Sequence, residues 1–89
     1  MLYRIYTEDK NRETIVSIVS RWFDGFTLIE TTGYYKGVKE KGLIIEVISE
    51  EPADILKVQA IEQSIIRENG QECVLTVKAA ETSNLIYAA

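Results

Sequence analysis

This sequence offers few residues that could do chemistry. No histidine occurs among its 89 residues, which removes the commonest general base, the neutral-pH switch and the commonest transition-metal ligand together. Cys73 is the single cysteine. It can form no intramolecular disulfide or thiolate cluster, and without an imidazole beside it the thiol is expected to be buried and structural. Glu30 and Glu46 are the carboxylates expected to lie close together in a partly buried place, where such a pair could share a proton or hold a hard cation. The competing arrangement pairs them with Arg4 or Lys78, and it is preferred because one ion pair satisfies both groups. The serines and threonines have no nucleophile-elbow context, and no Walker-type loop or dinucleotide glycine pattern occurs. The expectation is a protein that is not an enzyme and that uses no metal and no cofactor.

The other chemically distinct stretch is "TTGYYKGVKEKG" at residues 31–42, with three glycines, two adjacent tyrosines and three of the six lysines in the chain. Glycines beside lysines can present backbone N–H groups to a phosphate, and Tyr34 and Tyr35 could stack on a base. A candidate site for a small anionic ligand therefore comprises Arg4 as the anion holder, Glu46 to orient the ligand, and Tyr34, Tyr35 and Lys36. Nucleic acid is not the expected partner. The three lysines less Glu40 give this stretch +2, against −6 for the rest of a chain whose net charge is −4, so counterion release is small and most of the molecule repels phosphate. The preferred reading is a solvated hairpin tip whose lysines discourage edge-to-edge pairing.

These residues need elements to position them. "LYRIYTE" (2–8) alternates large and polar groups and predicts a first strand. A helix over about 11–24 follows, with Asn11 or Asp9 as N-cap, Ile15, Ile18, Val19 and Trp22 as its apolar face, and Gly25 as a left-handed stop. "FTLIETTGYY" (26–35) and "GLIIEVIS" (42–49) are β-branched and aromatic, and form an antiparallel hairpin turning over Gly37 to Lys41. "SEEPAD" (49–54) starts a second helix with Ile55, Val58, Ile61 and Ile65 buried, and "ENG" (68–70) ends it. "ECVLTVKAA" (72–80) is the last strand. Residues 1–82 read as one domain and 83–89 as a C-terminal tail. The order β-α-β-β-α-β is the split βαβ of an α+β, ferredoxin-like fold, with a four-stranded antiparallel sheet in the order 4-1-3-2 and both helices on one face.

The other face of that sheet is then open. Alternation assigns Tyr3, Ile5, Leu43, Ile45, Val47, Cys73, Leu75 and Val77 to the core. It leaves Leu2, Arg4, Tyr6, Ile44, Glu46, Ile48, Val74, Thr76 and Lys78 on the open side; strand two fits either phase, with Leu28 and Glu30 the preferred open pair. The apolar set Leu2, Tyr6, Leu28, Ile44, Ile48 and Val74 is too large to stay in water, so it predicts a homo-oligomer, a dimer or trimer, joined through this face. A chain of this length buries only a modest core, which points the same way. Its N-terminus lacks an apolar signal core and no apolar run reaches membrane length. A soluble protein in the reducing cytoplasm is expected.

"TTGYYKGVKEKGLIIEVI", followed by an acidic helix start, resembles the second hairpin of PII signal-transduction proteins and of CutA1-type proteins. There too a tyrosine- or lysine-glycine segment leads into an aliphatic strand of a ferredoxin-like domain. The resemblance implies that architecture and a trimeric tendency, with nucleotides bound between subunits in the PII case; it assigns no site residue. Over most of its length, with "YRIYTEDKNRE" and "GYYKGVKEKGLIIE" as the most recognisable parts, the chain resembles short uncharacterised proteins of phage and bacterial genomes, which implies no activity. The function expected is a small self-associating interaction or regulatory module. The alternative is a PII-like sensor binding a small anionic ligand at a subunit groove.

Overall fold

A computed structural model describes residues 1–71 and 74–79 of the chain. The elements run β1 (Leu2–Glu8), α1 (Arg12–Ser20), β2 (Thr27–Tyr35), β3 (Val38–Ile48), α2 (Asp54–Glu68) and β4 (Leu75–Ala79). All strand pairs are antiparallel, in the sheet order β2-β3-β1-β4, which is 4-1-3-2 from the other edge. One core cluster joins Tyr3, Ile5, Leu43, Ile45 and Val47 of the sheet to Ile15, Ile18 and Val19 of α1 and Val58, Ile61 and Ile65 of α2. Both helices therefore cover one face, as the ferredoxin-like arrangement requires. Cys73 and the boundary placed between residues 82 and 83 lie outside the described residues.

Asn11 occupies the N-cap position of α1 with φ 50°, a left-handed conformation that asparagine tolerates, but its side chain makes no cap bond. The backbone does the capping instead: the Asn11 carbonyl accepts from the N–H groups of Thr14 and Ile15 at 2.9 and 3.2 Å. Asp9 is not a cap, because its carboxylate is engaged by Arg12. The helix is shorter than the 11–24 expected. Past Ser20 the spacing becomes mixed: Arg21 N–H to Ile18 O and Trp22 N–H to Val19 O span three residues, and Phe23 N–H to the same Val19 O spans four, so the last turn departs from regular α-helical phase. Trp22 consequently leaves the apolar stripe and is 41% exposed, while Phe23 packs on the core in its place. Gly25 has no positive φ and is not the helix stop.

The second helix begins and ends close to its signals. Ser49 Oγ donates to Asp54 Oδ2 at 2.5 Å and accepts the Glu51 N–H at 3.2 Å, tying the entry turn to the first helical residue. Gly70, at φ 64°, carries the chain away from the other end. Asn69 Nδ2 there donates to the Lys10 carbonyl at 2.7 Å. Gln71 Oε1 accepts from the Thr7 hydroxyl and from the Glu8 N–H. These contacts fix the end of β1 against the exit of α2.

The hairpin turn is tighter than expected. Lys36 and Gly37 form a two-residue turn with φ 49° and 77°, the positive pair that matches the twist of the flanking strands. β3 accordingly starts at Val38 rather than at residue 42, and the stretch from Gly37 to Lys41 is mostly strand instead of turn. The β2–β3 ladder runs from Thr27↔Glu46 to Tyr35↔Val38, whereas β1 stops at Glu8↔Gly42. Residues 32–35 and 38–41 therefore project past the sheet as a two-stranded ribbon, and the molecule measures 43 × 27 × 22 Å.

Register corrects the faces of two strands. Leu28 and Glu30 lie opposite Ile45 and Leu43, so they stand on the helix side, where Leu28 packs on the core; Thr27, Ile29 and Thr31 share the open face. Thr76 and Lys78 lie opposite Ile5 and Tyr3, again on the helix side, and Val74 also packs on the core. Leu75 and Val77 are the open residues of β4. Because side chains alternate with period two, a one-residue difference in phase moves a whole strand's pattern to the other face.

Candidate functional site

The open face is organised in rows set by the strand register. One row crosses all four strands: Ile29 on β2, Ile44 on β3, Tyr6 on β1 and Leu75 on β4. The next reads Thr27, Glu46, Arg4 and Val77, and the third reads Ile48, Leu2 and Ala79. Leu75 is 63% exposed, Ile48 65% and Val77 43%, with Tyr6 and Ile29 also exposed. Leu2 departs from expectation: it has the open-face parity yet is only 4% exposed. It lies between Ile48 and Ala79 in the sheet and offers almost no contact surface.

At the middle of the second row Arg4 Nε donates to Glu46 Oε2 at 3.0 Å. The pair is solvent-accessible, and such pairs contribute about 0–1 kcal/mol; its importance lies in its position amid apolar neighbours. The two-carboxylate arrangement does not form, because Glu30 and Glu46 are on opposite faces of the sheet. Glu30 Oε1 instead accepts from Arg12 Nη1 at 2.9 Å, and Asp9 accepts from Arg12 Nε and Nη2 at 3.2 and 2.6 Å. Hydrogen bonding from Arg12 holds the Asp9 carboxyl below its ordinary value, and the same contacts raise Arg12. Lys78 is on the helix side and partners neither glutamate. Among the described residues no group of three or more metal-binding side chains converges.

The proposed ligand residues separate into two places. Arg4 and Glu46 sit mid-sheet, whereas Tyr34, Tyr35 and Lys36 are at the ribbon tip. Eight residue steps along β3 separate the row of Glu46 from that of Val38, about 27 Å at strand spacing. No single site within one chain contains all five. At the tip Tyr34 is 73% exposed and Tyr35 is also exposed; the Lys36 ammonium lies 5.5 Å from the centre of the Tyr35 ring, within cation–π range. An open polar cleft of about 330 Å³ lies at the ribbon base, lined by Asp9, Glu30, Thr31, Thr32, Lys41 and Gly42. Its two carboxylates are the ones already bound by Arg12.

Ile29, Leu75 and Val77 are open-face residues that alternation alone did not identify. The apolar residues of β2 and β4 occur on both parities, so neither strand carries a charge pattern that marks its outer side. The Arg12 bridge joins residues 9, 12 and 30, and no local spacing signals it.

No family model matches this sequence, and no curated protein matches it. Solved structures do share its fold. The crystal structure of a DUF3240 family protein from Shewanella baltica OS155 is 12% identical and superposes with a TM-score of 0.66, covering 96% of this chain and 94% of that chain. At that identity the likeness establishes the fold: an α+β, ferredoxin-like domain.

Proposed function

We propose that this chain is a self-associating interaction module that packs the open face of its sheet against a second copy. The observation that carries this reading is the symmetry of the exposed rows. The order β2-β3-β1-β4 has its midline between β3 and β1. A two-fold axis lying in the interface, along the strands and over that midline, sets β3 on the partner's β1 and β2 on the partner's β4. Ile44 then meets the partner's Tyr6, and Ile29 meets the partner's Leu75. Arg4 and Glu46 each meet the opposite charge. A face that is self-complementary in both apolar and charged positions is what an isologous interface needs, and near-aligned strand directions are a standard way for two sheets to pack.

Molar mass by light scattering over a concentration series tests the reading. The protein should exceed monomer mass at high micromolar concentration, and Leu75→Glu, which sets a carboxylate against the partner's Ile29, should lower it. Arg4→Glu should lower it as well, and adding Glu46→Arg should restore it. A wild-type chain that stays monomeric over that range sinks the proposal.

A further inference from the structure

We infer that the outer edge of β2 is a second interface, on which another copy of this chain adds its own β2 to make a continuous eight-stranded sheet. This surface is separate from the open face and does not depend on the proposal above. β2 is an end strand of the sheet, and among the described residues no strand pairs with its outer side. It is nine residues long, "TLIETTGYY", with no lysine, no proline and a single charge. Exposed edges are ordinarily blunted by shortness, by lysine, by proline, by a bulge or by an inward-pointing charge; the one such charge of β2, Glu30, is already neutralised by Arg12. Among the described residues the other two free edges follow that practice: β4 is described over five residues including Lys78, and the far side of the ribbon carries Lys39, Glu40 and Lys41. The lysines of the ribbon thus protect β3 and the turn, and leave β2 open.

Gly33 gives the independent reason. A glycine inside a strand weakens it and is often found where another backbone approaches closely. Gly42 has such a reason within its own chain, since a Cβ there would lie 2.6 Å from Thr31 Oγ1. Gly33 has none: its φ is not positive and a Cβ would meet nothing within 4 Å. The space over Gly33 is therefore open to a side chain of a neighbouring copy.

Symmetry then fixes the register. A two-fold axis normal to the sheet leaves every residue facing the side it faces already, so paired residues must share parity. Centring the axis on Glu30 sets two carboxylates opposite each other, which is unfavourable. Centring it on Thr31, the midpoint of β2, pairs the whole strand and separates the charges. Glu30 then lies opposite the partner's Thr32, and Ile29 fills the space over the partner's Gly33. Leu28 receives the partner's Tyr34 on the helix side. The exposed tyrosines of each ribbon are thereby laid along the body of the other copy.

Cysteine crosslinking and native mass test this together, in a Cys73→Ser background. At the axis Thr31 faces the partner's Thr31 with Cα atoms about 4.5–5.5 Å apart, inside the disulfide range; residue 32 would be about 8 Å from its symmetry mate, outside it. Mild oxidation should therefore convert Thr31→Cys, and not Thr32→Cys, to a covalent dimer. Gly33→Val, whose Cβ would meet nothing in its own chain, should lower the native mass without lowering the melting temperature. Leu75→Glu, which attacks the open face, should leave the Thr31→Cys crosslink intact, so the two interfaces fail separately. Equal crosslinking at positions 31 and 32, no crosslinking at 31, or an unchanged mass for Gly33→Val would each overturn the edge interface.

Discussion

The two faces of the sheet are built from the same strands and similar side chains, yet they differ in what completes them. On the helix side, Tyr3, Ile5, Leu43, Ile45 and Val47 are closed off entirely by α1 and α2. On the open side, Ile48, Leu75 and Val77 stand as close along the backbone and remain in water. Residue type does not decide burial here; the layer above each strand does. The widest test of the contrast is a pair of truncations on β3. Ile45→Ala empties a fully buried site and should cost about 2–5 kcal/mol, read as a large drop in the denaturation midpoint. Ile48→Ala, three residues on, removes an exposed side chain and should change the stability of the single chain by less than about 0.5 kcal/mol. A loss at Ile48 as large as that at Ile45, measured at a concentration where the protein is monomeric, would mean that the open face is already filled from within.

Gly33 in the ribbon and Gly42 at its base give the same contrast on a smaller scale. Gly42→Ala drives a Cβ into the short, branched Thr31 side chain, with the Thr7 carbonyl at 3.4 Å behind it, and overpacking of this kind costs about 1–3 kcal/mol. Gly33→Ala meets open space and removes the entropic cost of glycine in a strand, which should stabilise the monomer by about 0.5–1 kcal/mol. Opposite signs in urea denaturation are expected, and a common sign would remove the distinction on which the edge interface rests.

How far the sequence could be read follows from how each element is covered. β1, β3 and α2 are legible because each has one covered side and one that carries charged or amide groups: Arg4 and Glu8, Glu46, and Lys57, Gln63 and Arg67 mark the outer positions. β2 and β4 were not legible, because both are edge strands. Their inner sides meet only the rim of the helix layer, so Glu30, Thr76 and Lys78 are tolerated there, and their outer sides accept Ile29, Leu75 and Val77. Parity then depends on pairing with a neighbour, which no local pattern contains. The turn was misplaced for a related reason: Lys36 takes a left-handed conformation usually signalled by asparagine or glycine, so the boundary was drawn at the charges and not at the turn. The Arg4–Glu46 pair was foreseen because both residues lie on legible strands. The ligand set was not assembled, since its tip residues belong to a ribbon whose length only the register reveals.

The smallest expected effects come from two carboxylates of α2 whose surroundings pull in opposite directions. Asp54 is held below its ordinary value, first by the Ser49 hydroxyl and next by Lys57, against desolvation. A carboxyl lowered on folding stabilises the native state above its unfolded value and loses that contribution as pH falls through the folded one. Asp54→Asn should therefore lower the melting temperature at neutral pH, with the difference from wild type shrinking on acidification below about pH 4. Glu62, half-buried beside β4, is raised, chiefly by desolvation and against a weaker opposing pull from Thr76. Its contribution is complete below the unfolded value and is lost as pH rises through the folded one. Glu62→Gln should leave the acid side unchanged and raise the neutral-pH melting temperature slightly. The half-burial of Glu62 keeps water near the charge, which is why its effect ranks last. If Glu62→Gln instead lowers the neutral melting temperature, the carboxylate is making a stabilising contact, and the rim of the helix layer is less tolerant of polar residues than the edge-strand argument requires.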